Sequence, residues 1–436
     1  MVELVKAQNS ASMRPSFLMA QMGDSRLAMG GAASGGNILR YMHAVGSWVP
    51  FLTKGKVKSP ITYNKAVSSS TSISYVGDGG VNVKGLIPAD GSPGQLADVL
   101  ALDPIPTHCL LLSGTNDIGN GVPFDTMTST MLTAWASLLS RGIVPVVLLD
   151  LPRGWTTASS RQKHFAWNTW LMVNGPRYGA VIIDATPDLM DIANANGDPI
   201  ASYYYDSPAI HPGNNGCYFA AGPVADYFNA LPMGGWFRGF SAGDAFNAAN
   251  NPYGNKAPNG GIGFGSAGAK TGANITGNVV SGMQVYLISG SVTSCACSIE
   301  ARNDGGAGNW QKLDITTSGA AQIWFYPTSD IAAAEGEIYE YGVDLEASGM
   351  SSNITINARM SHFNGGTTLG SAHAFNVDTT KGPLPPSFAG RAEIDPYTMA
   401  AGTTKVTPIV AAVITGAVTN AVVKIGSMSV RPPVAA

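Results

Sequence analysis

Between residues 16 and 231, short apolar runs alternate with stretches whose apolar positions recur at helical spacing. Such alternation marks strands joined by crossover helices around a parallel sheet. The runs Phe17 to Met22, Ile73 to Val76, Cys109 to Ser113, Ile143 to Asp150 and Ala180 to Ala185 are the candidate strands. Met127, Met131, Trp135, Leu138 and Leu139 fall on one helical face, and Gly142 stands where that helix would stop. Asn37 to Phe51, Arg161 to Val173 and Asn214 to Phe228 read as further helices. The expected architecture is a three-layer α/β/α sandwich over residues 1–232.

Beyond Pro232 the pattern changes. Gly, Asn and Ala follow one another without period from Phe240 to Gly277, so residues 233–277 read as a linker or the start of a second unit. Strict alternation then begins. Ile354, Ile356, Ala358 and Met360 alternate with polar residues, as do Tyr339, Tyr341, Val343 and Leu345. With Met283 to Ile288, Gln322 to Tyr326 and Ala421 to Val430 they predict an all-β, jelly-roll-like sandwich over 278–436.

Composition narrows the function classes. Charged residues make up 12% of the chain and the formal net charge is −3, with no Lys/Arg cluster to follow a phosphate backbone, so no nucleic-acid partner is expected. The four cysteines are too sparse for a disulfide framework. Cys295 and Cys297 would share one strand face and read as buried thiols, and neither a metal site nor a cofactor is expected. The most apolar neighbourhood, Val406 to Ile425, is interrupted by Thr407, Pro408, Thr415, Gly416 and Asn420, short of the ~18 unbroken residues a membrane span needs. No order of positive start, apolar stretch and cleavage site stands at the N-terminus, so a soluble protein without a secretory leader is expected.

Four features of the first half carry chemistry: Gly23-Asp24-Ser25-Arg26, Gly79-Gly80, Gly114-Thr115-Asn116-Asp117, and Asp206 to His211-Pro212-Gly213. Three follow predicted strands, whose C-terminal loops open on one edge of a parallel sheet, and the fourth begins the last helix. A serine hydroxyl needs a base within hydrogen-bond reach to become nucleophilic, and His211 is the best candidate to serve Ser25. Attack on an ester places charge on the carbonyl oxygen, for which the N–H groups of Ser25 and Gly80 and the amide of Asn116 are candidate donors. Each feature alone also reads as a turn or a cap.

In this order the four features resemble the sequence blocks of the SGNH (GDSL-type) hydrolases, a family of esterases and carbohydrate deacetylases. The resemblance covers about residues 16 to 231. It implies that Ser25 heads the first block, Gly80 is the glycine of the second, Asn116 the asparagine of the third and His211 the histidine of the last. Asp24 and Asp117 match acids that are more often structural than reactive. One departure stands out: the family usually places the triad aspartate three residues before the histidine, where this chain has Pro208. The orienting group is therefore Asp206, five residues before His211, or a backbone carbonyl near Pro208, with Asp198 a poorer third choice. Among the other histidines, His43, His108, His164, His362 and His373 have no partners at ligand spacing.

The C-terminal stretch resembles, loosely, β-sandwich modules joined to SGNH domains in phage tail and bacterial polysaccharide-active proteins. That implies an acetylated polysaccharide, or another ester, as substrate, in a virion or the cytoplasm. Trp310, Trp324, Tyr326, Tyr339 and Tyr341 are candidate sugar-stacking residues, with the core as their commoner location. A glycan-binding module with a degenerate hydrolase fold and a structural virion component are the alternative classes.

Overall fold

The computed structural model describes residues 17–34, 37–73, 75–76, 82–194, 196–232, 244–261 and 263–433. Its first body is a parallel sheet of five strands in spatial order Val57–Lys58, Phe17–Gly23, His108–Leu112, Val144–Leu148, Val181–Ile183. Phe17–Gly23, first of the described strands, has a parallel neighbour on each side. The strand order therefore reverses beside it, and the crevice at the carboxyl ends of such a switch point is where open α/β sheets receive ligands.

Helices Phe124–Ser140, Ala158–Asn174 and Asn214–Ala230 complete the layers. Met127, Met131, Trp135 and Leu138 are buried as their spacing predicts, whereas Leu139 is exposed because it lies past the edge of that face. Gly142, with φ +74°, provides the left-handed residue that ends the segment.

The second body is a β-sandwich. A nine-stranded sheet runs in the order Ala269–Thr271, Met283–Gly290, Ala321–Pro327, Lys405–Ile414, Ile354–Asn364, Thr367–Asn376, Asn37–Tyr41, Gly31–Ser34, with Ile331–Ala332 at the side of Lys405–Ile414. Opposite it stands a seven-stranded sheet that includes Ser294–Ala301, Asn309–Thr317, Val418–Arg431, Ile338–Ser348 and Ser387–Glu393. Strict alternation puts Ile354, Ile356, Ala358 and Met360 of one sheet and Tyr341, Val343 and Leu345 of the other in the core between them. Cys295 and Cys297 are buried free thiols there. No described helix is long and apolar enough to cross a membrane.

Three expectations are corrected. Asn37 to Phe51 is not one helix: Asn37–Tyr41 is a strand and only Val45–Leu52 is helical. The cause is tertiary, because Ile38 and Leu39 pair with Ala372 and His373 of a strand more than 300 residues away, and that pairing overrides local periodicity. Ile73 to Val76 is not part of the parallel sheet; Tyr75–Val76 pairs with Asn82–Val83 in a separate two-stranded ribbon, and Val57–Lys58 takes the edge position. Trp310, Tyr339 and Tyr341 are core residues, which leaves Trp324 and Tyr326 half-buried on the opposite side of their strand.

The two bodies share a core. Trp48 and Phe51 of the helix Val45–Leu52 meet Phe375 and Phe388 of the sandwich at ring distances of 5.1–6.0 Å. Burying four such rings contributes several kcal/mol, at roughly 25 cal/mol per Å². Polar contacts flank them, including Lys54 with Asp304 at 3.2 Å and the Ile61 N–H with Asp395 at 2.9 Å.

Candidate active site

The first strand ends in a turn that only glycine can make. Gly23 has φ +148°, and a Cβ there would stand 2.1 Å from the Leu112 carbonyl oxygen of the neighbouring strand. Its N–H donates to Gln95 Oε1 (2.7 Å) and its carbonyl accepts from Ser70 Oγ (2.8 Å), while Gln95 Nε2 donates to that same hydroxyl (3.0 Å). The next residue, Asp24, caps the short helix Ser25–Ala28 by accepting from the Arg26 N–H. Ser25 is thereby fixed at a helix N-terminus, 7% exposed, with its own N–H unpartnered among the described residues.

His211 arrives from 186 residues further along the chain, just before the helix Asn214–Ala230. Its Nε2 lies 2.7 Å from Ser25 Oγ, and its Nδ1 lies 2.6 Å from Asp206 Oδ2. The five-residue spacing is accommodated by a loop that wraps on the carboxylate: Asp206 Oδ1 accepts from the N–H groups of Ile210 (2.9 Å) and His211 (3.0 Å). Burial raises the Asp206 pKa, but those two donors and the imidazole outweigh it and hold the group below its ordinary value. Asp198 faces elsewhere, toward Arg161 and Asn194.

Asn116 occupies the first turn of Thr115–Gly119, after the adjacent strand His108–Leu112. Its Nδ2 donates to the Ser70 carbonyl at 3.0 Å, which leaves the second N–H of that amide available. Gly80 lies outside the described residues.

Beneath Ser25 sits a buried charge cluster. Arg26 bonds Asp24 through Nε (2.9 Å) and contacts Asp150 at 2.6 Å. Burial lowers the guanidinium pKa, yet Asp150 and Asp24 more than restore it and keep the cation firmly protonated. Asp117 is treated differently. Its Oδ1 accepts from the N–H and hydroxyl of Ser72 (2.7 and 2.6 Å), but its Oδ2 is buried without a hydrogen-bond partner among the described residues. Burial, partly offset by Ser72 and reinforced by Asp150 and Asp24, raises its pKa from 3.8 to about 6. A carboxyl whose folded pKa exceeds its unfolded one contributes stability below pH 4 and loses it as pH rises through 6. Asp117→Asn keeps the Ser72 acceptor and removes the ionisation. Its stability relative to wild type is expected to rise by roughly 2–3 kcal/mol between pH 4 and pH 8, as read by urea unfolding. A pH-independent difference would rule this out.

Several residues around the site escaped sequence reading. Arg26 stands beside Ser25 and Asp150 closes an apolar run, so a charge at the end of a buried strand was the available signal. Gln95 gave none. Nor did Tyr205, whose ring stacks on His211 (5.8 Å, 20°), or Arg153, whose Nη1 donates to the Thr115 carbonyl (3.2 Å). Lys381, from the sandwich segment after Thr367–Asn376, places its ammonium 4.0 Å from the Tyr205 ring centre. Among the described residues no cluster of three His, Cys, Asp or Glu is arranged to hold a metal ion.

Residues 22–217 match the GDSL-like Lipase/Acylhydrolase family. No curated protein matches the chain. Among solved structures, a member of the lipolytic protein G-D-S-L family from Veillonella parvula DSM 2008 is 16% identical, over 49% of this chain and 99% of its own, with a TM-score of 0.35. A GDSL-like lipase from Bacteroides thetaiotaomicron VPI-5482 is 12% identical, over 52% of this chain and 98% of its own, with a TM-score of 0.34. A catalytic mutant of an acetylxylan esterase from Geobacillus stearothermophilus is 13% identical, over 50% of this chain and 97% of its own, at 0.35.

Proposed function

We propose that this chain is a serine ester hydrolase that works through an acyl-enzyme, with Ser25 as nucleophile, His211 as general base and Asp206 as the group that orients His211. The observation that carries the reading is the unbroken relay from Ser25 Oγ to His211 Nε2 (2.7 Å) and from His211 Nδ1 to Asp206 Oδ2 (2.6 Å). Asp206 accepts from Nδ1–H, which leaves Nε2 bare and facing the hydroxyl. As Oγ bonds to the ester carbon, its proton passes to Nε2 and the carbonyl oxygen becomes an oxyanion. The N–H of Ser25 and the second amide N–H of Asn116 are its donors, with Gly80 the third expected one. Collapse expels the alcohol, which takes the proton from Nε2, and water attacks the acyl-enzyme by the same relay.

Tyr205 stacks on His211, Lys381 lies over Tyr205 and the Arg153 turn borders the Asp206–His211 loop, surroundings that suit a small acyl group on a polar alcohol better than a long lipid chain. We therefore assign O-acetyl groups on a polysaccharide as the substrate class. Two measurements test the activity: hydrolysis of p-nitrophenyl acetate, and labelling of Ser25 by a fluorophosphonate. Glycan retention with neither result would instead mark the chain as a binding module. Asn116→Ala is expected to cost about 10²–10³ in kcat with little change in KM, since its amide strengthens its bond only as the oxyanion forms. A loss below about threefold would remove Asn116 from the oxyanion site.

A further inference from the structure

The segment between the strands Thr367–Asn376 and Ser387–Glu393 belongs to the sandwich, yet it lies against the His211 loop. Asn214, fully buried, donates through Nδ2 to the carbonyls of Asp378 (3.0 Å), Lys381 (3.3 Å) and Gly382 (2.6 Å). The backbones approach so closely that a Cβ at Gly213 would fall 2.2 Å from the Lys381 carbonyl oxygen. This seating carries the Lys381 side chain over the Tyr205 ring, whose other neighbour is the imidazole of His211. Lys381 is only partly buried, and no carboxylate forms a salt bridge with it among the described residues. The nearby carboxylate of Asp378 is engaged by the N–H and hydroxyl of Thr380 (2.9 and 2.7 Å).

A second cation borders the same loop. Arg153 is held by the Thr115 carbonyl and by the ring of Trp155 (4.3 Å), in a turn whose Gly154 N–H donates to Ala209. It too lacks a carboxylate in salt-bridge contact among the described residues, and its Nε is buried without a hydrogen-bond partner. Two cations thus flank the Asp206–His211 loop, Lys381 within electrostatic reach of Asp378 and Arg153 of Asp150, Asp24 and Asp206, but neither is in salt-bridge contact with a carboxylate among the described residues. An aromatic face holds a cation in place without neutralising it, so the partly exposed Lys381 ammonium over Tyr205 stays available to an incoming ligand.

We infer that the site selects esters borne on an anionic glycan, with Lys381 as a specificity residue that meets a carboxylate on the sugar, an assignment that rests on the ester-hydrolase reading above. The charge belongs on the alcohol part of the substrate and not on the acyl group. His211 Nε2 must hand its proton to the leaving oxygen, so a cation stacked through Tyr205 onto His211 borders the leaving-group side. The sandwich thereby contributes to the choice of substrate directly, through a residue outside the matched 22–217 region.

Acetate release from partly O-acetylated polygalacturonate is to be compared with release from the same polymer after its carboxylates are amidated, with p-nitrophenyl acetate as the uncharged control. Wild type is expected to favour the charged polymer by about tenfold in kcat/KM, the low end of electrostatic focusing, and to lose most of that preference near ~0.5 M salt. Lys381→Met is expected to lower the ratio of the two kcat/KM values at least about fivefold, and Lys381→Arg to retain it. Equal rates on the two polymers in wild type, or an unchanged ratio in Lys381→Met, would overturn the inference. Robust turnover of p-nitrophenyl acetate alongside either result leaves the ester-hydrolase reading standing, whereas no turnover of any of the three esters refutes that reading itself.

Discussion

Ser25→Ala is expected to lower kcat on p-nitrophenyl acetate by a factor on the order of 10⁵ and to abolish fluorophosphonate labelling. In the proposed mechanism, removing Oγ removes the atom that bonds to the acyl group, and His211 Nε2, 2.7 Å from it, loses the proton it would take. What survives is the weak catalysis of oxyanion donors acting on a bound ester with water as nucleophile. The fold should be untouched, because Ser25 is held by backbone contacts and by the cap from Asp24, none of which uses the hydroxyl. The check is steady-state turnover beside a thermal melt. A variant that melts like wild type and retains more than a few per cent of its turnover would show that Ser25 is not the nucleophile.

Asp206→Asn is expected to cost on the order of 10³–10⁴ in kcat while leaving stability within about 1 kcal/mol. The Asn carbonyl can still accept from the Ile210 and His211 N–H groups, so the loop keeps its shape. The amide nitrogen then faces His211 Nδ1 as a donor, and the imidazole must answer with the tautomer that carries its proton on Nε2. That tautomer cannot accept from Ser25. Because the defect lies in proton acceptance and not in binding, KM should change little. A loss below about tenfold would assign the orientation of His211 to another group, such as a backbone carbonyl near Pro208.

The core of the site is legible in the sequence because its chemistry is local. Gly23-Asp24-Ser25 makes a strand-to-helix turn from three adjacent residues, and Asn116 and His211 stand at corresponding ends of elements that periodicity identifies. The Asp206 position is half legible: a carboxylate near the histidine is evident, but its reach depends on how the loop folds over Oδ1. Asn37–Tyr41 shows the limit. Its apolar residues read as helix, and only a partner strand at Thr367–Asn376 makes them extended. Lys381 is invisible for the same reason, since nothing in its neighbourhood of the chain announces that Asn214 will anchor its loop.

The placement of Gly31–Ser34 and Asn37–Tyr41 at the edge of the sandwich also bears on how the protein is made. These strands are synthesised more than 300 residues before the strand that receives Asn37–Tyr41. Until then the nascent chain holds two short edge strands with no sheet to join, and the helix carrying Trp48 and Phe51 lacks Phe375 and Phe388. Contacts of such sequence separation form slowly, after a long loop has closed. The hydrogen bonding of Asn37–Tyr41 and the packing of Trp48 and Phe51 are therefore complete only once residues 367–393 have joined the N-terminal half.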